Sequence, residues 1–330
     1  MYKKLLKFSI ILALIVVILG AYTRLSNAGL GCPDWPGCYG QIIVPDMADG
    51  TKIEGYDRPL ETAKGWKEMI HRYAASALGL TILILWFLTL KGKTQRPQSM
   101  ALPSFTALFV MLQGAFGMWT VTLMVHPGIV TIHLLGGFIT SALLIWMFLN
   151  QNKRTGVYRH VLKRHKYLLL IVLLTLSVQI ALGGWTSTNY AALSCGDYFP
   201  TCLNTWWPEM DFSSALYWGP TGTEYNYEYG VLENQARIAI QMLHRIGALL
   251  TTILIISLLI AFKRYVHLKK HFLLIGSLLA IQISLGVLNI ALSLPIAVAV
   301  LHNGVALLLL LSFISLVHKI FKEDNYRIET

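Results

Sequence analysis

The chain alternates long apolar runs with polar connections, and eight of the runs, 5–23, 68–90, 101–123, 128–149, 166–186, 237–262, 270–293 and 296–318, predict helices. A bilayer core of about 30 Å takes roughly 20 apolar residues per spanning helix. Lipid offers no partner to an unpaired backbone amide, so runs of this length predict an all-α integral membrane protein. The first run follows Lys3, Lys4 and Lys7 and stays apolar from Phe8 to Gly20. No A-x-A-like cleavage site follows it, so it reads as a retained helix rather than a secretory signal.

Composition narrows the class. The sequence is 55% hydrophobic and 13% charged, with a mean hydropathy of +0.58, far more apolar than a soluble core requires. A net charge of +11 raises the question of a nucleic-acid partner, and its distribution answers it. One alternating set of connections holds Lys3, Lys4 and Lys7; Lys91, Lys93 and Arg96; Lys153, Arg154, Arg159, Lys163, Arg164 and Lys166; Lys263, Arg264, Lys269 and Lys270; and Lys319, Lys322 and Arg327. Between Ser187 and Ala236 there is no Lys or Arg at all, but Asp197, Glu209, Asp211, Glu224, Glu228 and Glu233. The positive-inside rule then places both termini in the cytoplasm of a cell membrane and the long loops 24–66 and 187–236 outside. The basicity reports orientation against a lipid bilayer, not nucleic acid.

The sequence repeats internally. Gly20-Ala-Tyr-Thr, followed by Leu30-Gly-Cys32-Pro-Asp-Trp and Cys38, resembles Gly183-Gly-Trp-Thr, followed by Leu193-Ser-Cys195-Gly-Asp-Tyr and Cys202. His71-Arg72 recurs as His244-Arg245. Gln113-x-x-x-Gly117 and His133 recur as Gln282-x-x-x-Gly286 and His302. An even number of spans separates the copies, so they share one orientation. The expected architecture is two tandem four-helix bundles, residues 1–152 and 153–330, related by a pseudo-two-fold axis along the membrane normal.

Of ten histidines, His126, His160, His165, His267, His271 and His318 fall in connections or at span ends and are expected to be solvated, without a ligand role. The other four fall inside predicted spans, where ionisable side chains are rare and mark function. His71, His133, His244 and His302 each open a span, placing them roughly 5–10 Å below the outer surface at 1.5 Å per residue. Facing imidazoles at similar depth suit the two axial positions of a heme iron, with the bundle supplying an apolar slot for the macrocycle. Zinc or copper is a weaker fit, because no thiolate or carboxylate set lies near them. Heme iron is thus the metal expected.

Arg72 and Arg245 fit two readings, forked donors to heme propionates or cations snorkelling to lipid headgroups. Glu68 shares a helical face with His71 at i, i+3, whereas the matching position before His244 is Gln241. A carboxylate there can relay protons and an amide cannot; the plainer reading is a Glu favoured by a helix N-terminus. Cys32 with Cys38 and Cys195 with Cys202 predict one local disulfide per outside loop, either as structural staples or as exchanging dithiols. The aromatic stretch Trp206, Trp207, Trp218, Tyr225, Tyr227 and Tyr229 suggests packing at the interface, as in a lid.

Thr23-Arg24-Leu25, then Gly29-Leu30-Gly31-Cys32-Pro33-Asp34-Trp35-Pro36 and Cys38, then Glu68-x-x-His71-Arg72 together resemble the heme A synthase family, over nearly the whole chain. The resemblance implies an oxidoreductase that converts the C8 methyl group of heme O to the formyl group of heme A by successive hydroxylations with oxygen from water, supplying cytochrome oxidase. It implies a heme B cofactor held by His244 and His302, a substrate heme O site at His71 and His133, Glu68 as the essential acid, and heme O synthase as a partner. It links Cys32 and Cys38 to heme handling or reductant exchange, and matches Cys195 and Cys202 to a pair present in some members. The alternative is a two-heme b-type cytochrome that only transfers electrons. A carrier or structural protein whose histidines bind no cofactor would be a third class. The oligomeric state and the source of oxidising equivalents are not encoded in any motif.

Overall fold

The computed structural model describes residues 1–94, 99–152, 163–220 and 225–324. The boundary expected at 152/153, and Arg96, Lys153, Arg154, Arg159, His160, Glu224 and Arg327, lie outside the described residues. Among the described residues the regular structure is helical: α1 Tyr2–Leu25, α2 Thr62–Leu90, α3 Ala101–Thr122, α4 Pro127–Asn150, α5 Lys163–Thr188, a short α6 Phe212–Ala215, α7 Asn234–Phe262, α8 Lys269–Ala291 and α9 Ile296–Asp324. Apart from α6, all are long and apolar enough to cross a membrane, which makes this a multi-pass membrane protein. If every long helix crosses, the termini share one side and the long connections 26–61 and 189–233 share the other.

The ends of these helices have local causes. The Thr62 N–H donates to Asp49 Oδ1 at 2.8 Å, capping α2 from the preceding loop. α2 closes where Gly92 takes φ +64° and Lys93 N–H returns to the Leu88 carbonyl, a left-handed cap that glycine adopts at no steric cost. α4 starts on Pro127, with the His126 Nδ1 accepting from Gly128 N–H at 3.2 Å. The tight turns α3–α4 and α8–α9 both place two consecutive non-glycine residues at positive φ, Met124 and Val125 in one, Ser293 and Leu294 in the other.

α1 packs on α2 and α4, and α3 on α4; likewise α5 packs on α7 and α9, and α8 on α9. α4 and α9 meet each other, flanked by α1 against α9 and α4 against α5. Exchanging α1, α2, α3, α4 for α5, α7, α8, α9 maps each of these neighbours onto another. Two hydrogen bonds join residues 163 positions apart, the separation of the first cysteines of the repeat: Arg24 Nη2 donates to the Ser187 carbonyl at 2.6 Å, and Tyr190 Oη to Asn27 Oδ1 at 2.9 Å.

Two clusters of buried side chains lie toward the ends away from the long loops, and smaller ones, such as that of Cys32, Leu60 and Met69, lie beneath those loops. Tyr2, Leu6, Leu78, Ile82, Leu85, Leu144 and Met147 belong to one cluster, and Leu169, Leu258, Phe262, Phe313 and Leu316 to another. The four span histidines lie at the opposite, loop-bearing ends of their helices.

Candidate heme-binding site

Two of those histidines are deeper along their helices than the hydropathy pattern places them. α2 begins at Thr62 and α7 at Asn234, because polar turns continue each helix beyond its apolar run. His71 is therefore about 13 Å and His244 about 15 Å from its helix start, while His133 and His302 are about 9 Å from theirs.

Each imidazole lies against a glycine of the helix packed beside it. A Cβ placed on Gly20 would come within 2.9 Å of His71 Cε1, and one on Gly117, Gly183 or Gly286 within 3.2 Å of Cε1 of His133, His244 or His302. A Cβ at Gly20 would force the ring to shift, and one at the other three would make it give by a few tenths of an ångström, so glycine lets the rings approach this closely. A glutamine one turn earlier holds three of the rings. Gln113 Nε2 lies 3.1 Å from His133 Nδ1 and donates to the His133 carbonyl; Gln179 Nε2 is 3.0 Å from both the Nδ1 and the carbonyl of His244; Gln282 Nε2 is 3.2 Å from His302 Nε2. Gln113 and Gln282 mark the repeat in the sequence, but their role as clamps is visible only in three dimensions, and the sequence reading passes over Gln179. The signal that finds it is a third Gln-x-x-x-Gly, Gln179 to Gly183.

The ring centroids of His71 and His133 are 6.5 Å apart, with their planes at 89°. Two imidazoles in trans on one iron, at roughly 2 Å per metal–nitrogen bond, put their centroids about 6 Å apart. The buried Nδ1 atoms of His71 and His302 have no hydrogen-bond partner. Among the described residues no group of three or more His, Cys, Asp and Glu side chains gathers as for a bare ion. A pair of imidazoles around a macrocyclic iron is what this donor set fits.

Glu68 is 4% exposed and sits two turns inside α2, beneath the first disulfide loop. Its Oε2 accepts the Cys32 N–H at 2.9 Å, and its Oε1 pairs with Arg72 Nη2. Arg72 Nη1 in turn donates to the carbonyls of Asp34 at 2.9 Å and Gly37 at 2.7 Å. The copy is built alike: Arg245 Nη1 donates to the Thr201 carbonyl at 2.7 Å and Nη2 to that of Tyr198 at 3.1 Å. Both arginines thus hold the cysteine loops onto the helices, a contact the sequence does not suggest. Cys32 and Cys38 are bonded, as are Cys195 and Cys202, each pair followed by an equivalent bridge, Cys38 to Gln41 and Cys202 to Thr205. What differs is the residue beneath: Gln241 is buried like Glu68, but its Oε1 has no partner.

The long second loop reaches over to the α3–α4 turn. Trp218 lies on Gly128, where a Cβ would run into its ring, and Tyr227 N–H donates to the Met124 carbonyl at 3.2 Å. Between them, His126 contacts Trp218 at 5.3 Å and Tyr227 at 4.9 Å, centroid to centroid. His126 is 0% exposed and His165, bonded to Tyr265 Oη at 2.9 Å, is 5% exposed, so the expectation that both are solvated is corrected. Burial lowers the pKa of His126. Glu228 of the same loop pairs with Arg58 of the first. Trp206 and Trp207 stay exposed.

The fold and this site define a class: a multi-pass helical membrane protein with duplicated histidines, each set against a glycine of a neighbouring helix. The cytochrome oxidase assembly protein family matches residues 3–314. The heme A synthase of Shewanella oneidensis is 43% identical over 320 residues, covering 94% of either chain. Those of Neorickettsia sennetsu and Rhizorhabdus wittichii are 26% and 27% identical, over 94% and 91% of this chain and 96% and 88% of their own. The chain belongs to the heme A synthase family.

Proposed function

We propose that this protein makes heme A from heme O by successive hydroxylations of the C8 methyl group to a formyl group, in the cell membrane, with both termini cytoplasmic. The reading divides the chain at about residue 152 into a substrate half, where His71 and His133 hold heme O, and a cofactor half, where His244 and His302 hold heme B. When bound, the heme iron supplies the redox chemistry. The chain's own residues hold, orient and move protons: the glutamines and glycines fix the imidazoles, and the buried Glu68 carboxylate, on the face of His71, holds or relays a proton near the substrate. Heme O synthase is the partner expected to deliver the substrate.

The observation that carries this is the combination in one place of the 6.5 Å imidazole pair and Glu68 on the same helix, matched in the copy by a pair with only Gln241. The test is expression with a heme O synthase in a host lacking heme A, followed by pigment extraction. Heme A is the expected product. Its persistent absence from a preparation that carries bound heme would leave the electron-transferring cytochrome as the better reading.

A further inference from the structure

The four histidines are not held alike. On each of three partner helices the glycine that receives the ring is preceded, one turn earlier, by the residue that clamps it: Gln113 before Gly117, Gln179 before Gly183 and Gln282 before Gly286. For His71 the glycine is Gly20, and the residue four before it is Val16. Val16 stands where the copy has Gln179, since both this pair and the first cysteines are separated by the same 163 residues. What His71 meets there is the Val16 main-chain carbonyl, already part of the α1 hydrogen-bond ladder. The buried Nδ1 of His71 has no side-chain partner, unlike that of its counterpart His244, which Gln179 meets; the Nδ1 of His302 is likewise unpartnered, its ring being met by Gln282 at Nε2.

An imidazole that ligates iron through Nε2 carries its proton on Nδ1 and is steadied by whatever accepts that proton. A glutamine can serve in either sense, because turning its amide exchanges donor for acceptor. The Oε1 atom of Gln179 is buried and unpartnered, available to accept the Nδ1–H of His244, whereas Gln282 meets His302 at Nε2. Valine offers neither donor nor acceptor.

We propose that Gln113 and Gln179 are positioning residues that fix the axial imidazoles of His133 and His244 through Nδ1, and that His71, which has Val16 where His244 has Gln179, is the ligand built to let go. Breaking the His71 Nε2–iron bond frees one face of the N-terminal site while His133 keeps its hold. The C-terminal site, where Gln179 clamps His244, retains its heme. This accounts for one copy exchanging a substrate and the other keeping a cofactor. It rests on the heme-ligation reading above.

The experiment uses the full chain in detergent, loaded with heme B at both sites and challenged with excess apomyoglobin, following the transfer of heme. Wild type should release heme in two phases, the faster from the site of His71. Val16→Gln should slow the fast phase, and Gln179→Val should quicken the slow one, by about tenfold or more, the usual effect of removing a ligand's outer partner. Gln179→Glu, which keeps an acceptor, should leave the slow phase near wild type. The low-spin ferric signal should change shape in Gln179→Val, because ring orientation sets it, and a purely structural role would leave it alone. His71→Ala and His244→Ala separate the two ideas: if neither lowers bound heme or the low-spin signal, the ligation reading fails. If both do, yet Gln179→Val and Val16→Gln leave the two phases unmoved, the clamp proposal is overturned. Should Val16→Gln fail to insert, Gln179→Val and Gln179→Glu decide the matter alone.

Discussion

Removing the Glu68 carboxylate in two ways separates its structural work from its chemical work. Glu68→Ala strips the acceptor from the Cys32 N–H and leaves Arg72 without its anion, in a buried site. Breaking a buried pair costs about 3–5 kcal/mol, and the lower end applies because Arg72 keeps the Asp34 and Gly37 carbonyls. Glu68→Gln keeps the shape and an acceptor but also removes the anion facing Arg72, at the cost of a hydrogen bond between charged groups, about 1.5 kcal/mol. The difference of about 1.5 kcal/mol is roughly tenfold in the opening of the cysteine loop. Hydrogen exchange at Cys32 and its neighbours reads that opening directly, and pigment extraction reads heme A. Glu68→Ala should raise exchange and abolish product. Glu68→Gln should leave the loop more protected than Glu68→Ala does and still lose product by a factor of about 10² or more, the contribution of a positioned acid or base. Full heme A yield from Glu68→Gln would refute the carboxylate's part in the chemistry.

Gly117→Val should drive a side chain into the His133 ring, now 3.2 Å from the Cβ position, and cost the N-terminal site its heme, while Gly79→Ala, which meets nothing within 4 Å, should be neutral or gain up to about 1 kcal/mol of helix propensity; absorption of the purified proteins checks both. Arg58→Ala should uncouple the two long loops at a cost of about 1–2 kcal/mol, between the exposed and buried ion-pair values, raising hydrogen exchange at 225–230, and the exchanged pair Arg58→Glu with Glu228→Arg should restore it. His126 has its folded pKa lowered by burial, so its contribution is complete above the ordinary histidine value and is lost as pH falls below it, when the ring must charge and Nδ1 can no longer accept from Gly128. Exchange at 215–220 and 225–230 should therefore rise on acidification below about pH 6.5 in wild type, and His126→Asn should flatten that dependence.

Much of this arrangement is readable from the chain, for identifiable reasons. The eight spans follow from apolar length alone, and the histidines stand out because a duplicated ionisable group inside a span is too costly to be incidental. Hydropathy sets the starts of α2 and α7 six and three residues late, since Thr62–Lys67 and Asn234–Ala236 are too polar to score as membrane, yet the Asp49 cap and the cysteine loops above give those turns helical partners. Neither reading of the arginines anticipates Arg72 and Arg245 holding loop carbonyls, because a donor's partner on a neighbouring loop leaves no periodic trace. His126 reads as solvated from its place in a short turn; its burial depends on Trp218 and Tyr227, about 90 residues and more away in sequence.

The differences between the two copies bear on function more than their likeness does. Repetition supplies the common parts, an imidazole on a glycine, a cysteine loop tied down by an arginine, a left-handed turn between the last two helices of each set. Three departures fall on the same copy. Glu68 replaces the amide of Gln241, Val16 replaces the clamp of Gln179, and the long second loop, while stacking Trp218 on Trp185 of α5, lays it across the turn leading to His133. An acid, a loosened ligand and an aromatic cover together suit a site that must admit a heme, act on it and release it. The other copy keeps the amide and the Gln179 clamp, as the proposed cofactor site requires. Exchanging Val16 and Gln179 between the copies should therefore move heme lability from one site to the other without moving the acid chemistry, which stays with Glu68.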